Sequence, residues 1–234
     1  MLPAPRNNRI RLQARAWVAL GAMILLSLPS AAMERWAPPA ALQADFAVAA
    51  ASADARYAVA TILATADNQG LPFVIVDKKD GRMFVFEPGG QLRGASAALL
   101  GLAPGDHAVP GIGERELSRI LANERTTPSG RFLSEPGHNL DGEAVVWVNY
   151  DDGLAIHRLR PGKSHEQRLQ RLASSTPGDN RISLGCVVVP VAFYEAVVAP
   201  VLGKNFSVVY VLPETLPVNT LFDALALRSV RGAT

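Results

Sequence analysis

The 234-residue chain has one cysteine, Cys186, and four histidines, His107, His138, His157 and His165. A single thiol excludes an internal disulfide. No two histidines stand at a metal-ligand spacing such as His-x-x-x-His, and there is no Cys-x-x-Cys, so no metal site is expected. No glycine-rich phosphate loop is present; the glycines punctuate turns, and no nucleotide cofactor is expected. Aromatic residues make up only 6% of the chain and do not interleave with a basic patch, which argues against a nucleic-acid surface. There is no internal repeat and no apolar run near the ~20 residues a spanning helix needs. The run Trp17 to Leu28 stops at 12.

That short run has a context. Arg6, Arg9, Arg11 and Arg15 precede it, and Pro29-Ser30-Ala31-Ala32 follows with small residues. This is the order of an export signal over 1–32, cleaved or retained as an N-terminal anchor. Setting aside its four arginines leaves 19 basic against 21 acidic side chains, so the basic excess belongs to the signal. The expected location is periplasmic or cell-envelope, with membrane contact only through the N-terminal segment if it stays uncleaved. In an oxidising compartment an unpaired cysteine marks a reactive thiol or an intermolecular partner.

Residues 33–69 read as an Ala/Pro-rich linker turning into a helix over Ala44 to Ala66, with Phe46, Ala50, Tyr57 and Leu63 as its apolar face. Phe73 to Val76 and Met83 to Phe86 flank Asp77-Lys78-Lys79-Asp80-Gly81, a hairpin pattern. Residues 91–102 fit strand or helix. Residues 103–143 are loop-rich, with one short helix expected around Glu114 to Asn123. Ala144 to Asn149 and Leu154 to Leu159 form a second hairpin about Asp151-Asp152-Gly153. Period-two alternation then turns His157 away from Leu154 and Ile156. Ser164 with Gln167 predicts a capping box and a helix over 165–172. Pro190 opens a helix over 191–202, bent or ended near Pro200, and Phe206 to Leu212 is a strand. Residues 214–234 read as a tail. The fold class expected is mainly β with small helices.

The chemistry centres on Arg181-Ile182-Ser183-Leu184-Gly185-Cys186-Val187-Val188-Val189-Pro190. A thiol after a Ser-x-Gly turn and before a valine strand sits where backbone N–H groups can face an oxygen beside the sulfur, as acyl transfer requires. The same ten residues also read as a small buried hydrophobe among valines. A nucleophilic thiol needs a base or cation nearby. His157, on a strand, is the best placed by sequence; His107 and His138 fall in Gly/Pro loops.

Together these pieces resemble the L,D-transpeptidase catalytic domain (YkuD-type). Ser183-x-Gly185-Cys186 and the upstream strand histidine His157 match its signature. Thr126-Thr127-Pro128-Ser129-Gly130-Arg131-Phe132 resembles its Thr-Pro-x-Gly-x-Phe segment, and the hairpin at 73–86 its opening strands. The resemblance covers residues 70–213 in order and implies a β-sandwich or barrel-like core. It further implies Cys186 as nucleophile, His157 as general base and acid, Ser183 as an orienting group and the Gly185 backbone N–H at the oxyanion. Arg158 and Arg131 are candidate partners of a substrate carboxylate. The implied function is cross-linking or remodelling of peptidoglycan stem peptides through a thioester, with no cofactor. Leu184 stands where the signature has histidine, and Val188 where it has Arg or Asn. The 29-position interval from His157 to Cys186 is longer than usual, and holds the 164–172 helix. These departures leave a catalytically silent peptidoglycan-binding module, or a related cysteine hydrolase, as alternatives.

Overall fold

Strand β1 (Phe73–Asp77) is buried along its whole length and separates two cores. Its alternate residues face opposite ways. Val74 and Val76 enter one apolar cluster with Met83, Val85, Val146, Ile156, Val187 and Val209. Phe73 and Ile75 enter a second with Phe84, Phe86, Val208 and Tyr210. Burial on both faces is why this stretch is a continuous apolar run rather than an alternating one.

The computed structural model describes residue 46 and residues 49–224; the segment 1–32, with the expected export signal, lies outside them. Eight strands form one sheet in the order β3-β2-β1-β10-β5-β6-β7-β9. These are β1, β2 (Arg82–Phe86), β3 (Leu92–Ala97), β5 (Gly130–His138), β6 (Ala144–Asn149), β7 (Leu154–Arg158), β9 (Val187–Val189) and β10 (Ser207–Val211). Both hairpins expected from the sequence are present. Strand β4 (Leu100–Gly101), which continues the β3 edge, pairs with β8 (Arg181–Ser183). Leu99 exchanges two backbone hydrogen bonds with Val188, at 2.8 and 2.9 Å. The far edge strands are thereby joined, and the sheet curls into a nearly closed barrel around the first core. The fold is mainly β with short helices, as expected.

Helix α1 (Ala53–Thr65) covers the outer face of β1, β2 and β10. It starts where Ser52 accepts a hydrogen bond from the Ala55 amide, and Ser52 also donates to Asp77 at 2.5 Å. It ends at Ala66 in the left-handed region, short of Gly70 and Pro72. Its buried residues are Ala55, Ala58, Val59 and Ile62, with Leu63 packed against the same core; of the rest of the expected face, Phe46 and Ala50 precede the helix and Tyr57 is 43% exposed. The small alanines let the helix lie close to the phenylalanines of the sheet. Phe46 packs edge-on against Phe84 and Phe86.

The packed unit does not stop at 213. Glu214, Thr215 and Leu216 bond to the loop at Gly105 and Asp106, and Phe222 closes the second core. The helix expected around Glu114 to Asn123 is three separate 3-10 turns, Ile112–Glu114, Leu117–Arg119 and Ala122–Glu124. The expected capping box at Ser164 is absent. Gln167 adopts φ 46°, which divides a 3-10 turn (Ser164–Glu166) from helix α2 (Arg168–Ala173). Helix α3 spans 191–202 as Val191–Phe193, a π turn Tyr194–Val198 and Ala199–Leu202. Pro200 has no N–H for the α ladder, and the π turn shifts the ladder immediately before it. The chain continues through Pro200, and Tyr194, Val198 and Leu202 stay buried in the barrel core.

Candidate active site

Strands β7 and β9 run parallel, with Ile156 opposite Val187 and His157 opposite Val188. Ile156 and Val187 point into the core. The next residues on the other face, Ala155, His157, Cys186 and Val188, line a cleft of about 740 Å³. Cys186 and His157 are thus diagonal neighbours on one face of a rigid strand pair.

Cys186 is half-buried, and its thiol donates to the Gly153 carbonyl at 3.4 Å. Gly153 is held there by the β6–β7 turn, where Asn149 Oδ1 accepts from the Asp151 amide at 3.1 Å and Asn149 Nδ2 donates to Asp152 at 2.6 Å. Burial pushes the thiol up from its ordinary value, against smaller opposing effects of the Ala155 amide and the Arg160 charge.

His157 Nδ1 lies 2.8 Å from the Arg158 carbonyl oxygen. A carbonyl only accepts, so Nδ1 carries the hydrogen of the neutral ring and Nε2 keeps its lone pair. Burial lowers the imidazole below its ordinary value, and the Arg160 and Arg168 charges add to the lowering. With thiol raised and imidazole lowered, both groups rest neutral in the same cleft at neutral pH.

The turn before Cys186 is built by two hydroxyls. Ser183 Oγ donates to the Cys186 carbonyl at 2.6 Å and accepts from the Gly185 amide at 3.1 Å. The Gly185 N–H expected at the oxyanion is therefore engaged by Ser183. Among the described residues, the Leu184 and Cys186 amides donate no hydrogen bond to another residue, and the Cys186 amide faces its own sulfur. Thr127, fully buried, donates to the Gly185 carbonyl at 2.7 Å and accepts from the Gly101 amide at 2.8 Å. Gly185 has φ 144°, and a Cβ there would stand 3.0 Å from the Thr126 carbonyl. The 126–132 segment, noticed independently in the sequence, is thus the support of the cysteine turn.

Beneath Thr127 lies a buried ion cluster. Lys78 Nζ donates to Asp106 Oδ1 at 2.8 Å, to the Gly105 carbonyl at 2.5 Å and to the Thr127 carbonyl at 3.0 Å. Burial works against the Asp106 charge. The Lys78 ammonium, the Thr215 hydroxyl and the Glu214 amide outweigh it and hold the carboxyl below the usual carboxylate range. Arg181 on β8 pairs with Glu214 in the same cluster.

Two expected residues are elsewhere. Arg131 points to the outer face, donating to Asp67 at 2.6 Å and lying over Tyr210. Arg158 pairs with Glu195 at 2.5 Å and lies over Tyr194. Neither lines the cleft, because each leaves its strand on the side away from it. The arginines that do line it are Arg115, Arg160 and Arg168. His138, expected in a loop, ends β5 and lines the cleft, as do Trp147 and Tyr150, whose rings meet at 5.0 Å. Leu184 is 36% exposed at the rim, and Val188 is fixed by its pairing with Leu99. Among the described residues there is no cluster of His, Cys, Asp and Glu able to hold a metal ion, and no helix long and apolar enough to cross a membrane.

No protein-family model matches the sequence, and no curated protein matches it. Solved structures similar to the chain include the helical cell shape determining protein Pgp2 from Campylobacter jejuni, at 18% identity and TM-score 0.40. The match covers 62% of this chain and 47% of that one, about half its length. The catalytic domain of an E. faecium L,D-transpeptidase is similar at 16% identity and TM-score 0.36, over 61% of this chain and 98% of that domain. An L,D-transpeptidase from Xylanimonas cellulosilytica is similar at 17% identity and TM-score 0.37, over 61% of this chain and 60% of that one.

Proposed function

We propose that the protein is an exported cysteine L,D-transpeptidase that acts on peptidoglycan stem peptides. The observation that carries this reading is the shared face of Cys186 and His157 in one cleft, with Nε2 of His157 left as a proton acceptor. The matching order of the sequence motifs supports it.

The Cys186 side chain turns from Gly153 toward His157, and Nε2 takes the thiol proton as sulfur attacks a stem-peptide carbonyl. The S–C bond forms, and the carbonyl oxygen becomes an oxyanion. The Leu184 and Cys186 amides, engaged by no other residue, stabilise it, while Ser183 and Thr127 fix the turn that aims them. As the oxyanion collapses the C–N bond breaks, and the leaving amine takes the proton from His157. The product is a thioester. The side-chain amine of a second stem then attacks, His157 accepts its proton, and sulfur leaves as a thiol with that proton restored. The thioester retains the acyl group's reactivity, so no nucleotide is consumed. Neutral starting partners fit this sequence, because the proton moves only as the bond forms.

The test is incubation of the purified protein with a stem tetrapeptide and an amine-bearing acceptor stem. The reading expects cross-linked product and release of the terminal residue, both lost in Cys186→Ala. Product formed equally well by Cys186→Ala would overturn it. Stem-peptide binding that survives Cys186→Ser, without any covalent adduct in the wild type, would instead identify a silent binding module.

A further inference from the structure

Glu214 lies beyond the span that the motifs cover, in the stretch that reads as a tail in the sequence. Its side chain is nevertheless only 9% exposed and reaches the base of the cysteine turn. The two carboxylate oxygens hold two separate segments. Oε1 accepts from the Gly105 amide at 2.8 Å, and Oε2 pairs with Arg181 Nη2. Arg181 opens β8, and the same Nη2 donates to the Lys78 carbonyl at 3.0 Å. Glu214 thus fixes the Arg181 guanidinium between the β1–β2 turn and the segment after β10.

Strand β8 depends on that anchor because its ladder is short. It spans three residues and pairs with the two residues of β4, with a shift of register between Leu100 and Gly101. So small a two-stranded sheet has few backbone bonds to hold its position. Two residues after Arg181 comes Ser183, whose Oγ makes both hydrogen bonds that shape the turn before Cys186. On the β4 side there is no slack. A Cβ on Gly101 would stand 2.4 Å from the Arg125 carbonyl and 2.7 Å from the Thr127 amide. A displacement of β8 therefore passes to Ser183 in one direction and to Gly101 and Thr127 in the other. These are the groups that aim the Leu184 and Cys186 amides. Asp106, by contrast, bonds to Lys78 and to the Glu214, Thr215 and Leu216 amides, and makes no bond to β8.

We infer that Glu214 and Arg181 are positioning residues for acyl transfer, holding β8 so that the Leu184 and Cys186 amides meet the oxyanion. The inference rests on the acyl-transfer reading of the cleft. Neither side chain lines the cleft; both act through Ser183 and the turn it shapes. Position 214 needs a carboxylate because both of its oxygens must accept. Glu214→Gln keeps the length and the acceptor for Gly105, but turns an N–H group toward Arg181 and removes the counter-charge of a largely buried guanidinium.

Two reactions at the same thiol separate positioning from packing. With a carbapenem, sulfur attacks the lactam carbonyl, an oxyanion forms, the C–N bond breaks and the ring nitrogen takes the thiol proton. With iodoacetamide, the S–C bond forms as iodide leaves and the thiol proton goes to solvent, with no oxyanion to stabilise. The acylation-to-alkylation ratio therefore cancels changes in folded fraction, thiol exposure and ionisation. Glu214→Gln is expected to lower this ratio about tenfold, with alkylation close to that of the wild type. Ser134→Ala, which removes a buried hydrogen bond between β5 and β10, should keep the wild-type ratio. If Glu214→Gln does not fold, Arg181→Lys carries the test. It keeps the charge and loses the planar fork, and a fall of about threefold is expected. A variant ratio equal to or above that of the wild type overturns the positioning role, and leaves the transpeptidase reading standing where the wild type forms an acyl-enzyme. A wild type that is alkylated but never acylated removes the reading and the positioning role together, as does a thiol that neither reagent modifies.

Discussion

The Thr127 hydroxyl donates to the Gly185 carbonyl at 2.7 Å while accepting from the Gly101 amide at 2.8 Å. One buried side chain therefore ties the cysteine turn to strand β4. Thr127→Val keeps the shape and removes the hydroxyl, leaving a buried N–H and a buried C=O without partners. The expected loss of stability is about 1–3 kcal/mol, read from denaturant unfolding. Acylation of Cys186 should fall by about tenfold or more, because the amides at Leu184 and Cys186 lose their fixed aim.

The neutral state of the thiol and imidazole predicts the pH profile. Burial raises the thiol above its ordinary 9.0, so the fraction of thiolate at pH 7 is below that of a free cysteine. Alkylation by iodoacetamide should be slower than for free cysteine at pH 7 and should still be rising at pH 9. The His157 imidazole is lowered from 6.5, so it remains an acceptor throughout the neutral range. Loss of enzyme-catalysed acylation on acidification should therefore begin only below about pH 6.5. A rate plateau for alkylation near pH 7 would contradict the neutral pair.

Asp106 governs stability rather than chemistry. Its folded value lies below its ordinary 3.8, so its contribution is fully present above pH 3.8 and is lost as pH falls through the lower folded value. Asp106→Asn leaves Lys78 buried without its nearest carboxylate. The expected cost is about 3–5 kcal/mol at pH 7. The gap to wild type should narrow below pH 3.8, measured by unfolding across pH.

Arg131→Met separates a structural arginine from a substrate-binding one. It breaks the pair with Asp67 on the outer face, at a cost of about 2 kcal/mol. The KM for a stem-peptide donor should not change. A raised KM with unaltered stability would return Arg131 to the cleft.

The sequence made the strand framework legible where turns and alternation were strong. The Asp-Gly turns located both hairpins, and alternation placed His157 opposite Ile156. The Ser-x-Gly-Cys and Thr-Pro segments were legible separately, but the hydrogen bond joining Thr127 to Gly185 spans 58 positions and has no local signal. Arg131 and Arg158 were natural candidates beside motif residues. Their direction depended on partners, Asp67 and Glu195, that only the folded chain brings near. Arg160 and Arg168 sit in a segment with no periodic pattern, so nothing short of the cleft itself distinguished them from solvated arginines. Gly185 kept its conformational role, but its amide went to Ser183, a two-residue contact that a motif cannot reveal. Helix α1 was found by composition, while its face was misassigned at Tyr57, because alanines rather than that larger ring made the close packing.

Intact-mass spectrometry of the purified protein after exposure to a carbapenem asks whether Cys186 is an acylatable nucleophile. One covalent adduct per chain is expected, absent in Cys186→Ala and strongly slowed in His157→Ala. No adduct, with Cys186 also inert to iodoacetamide, would contradict it and make the thiol a packing residue of the barrel wall.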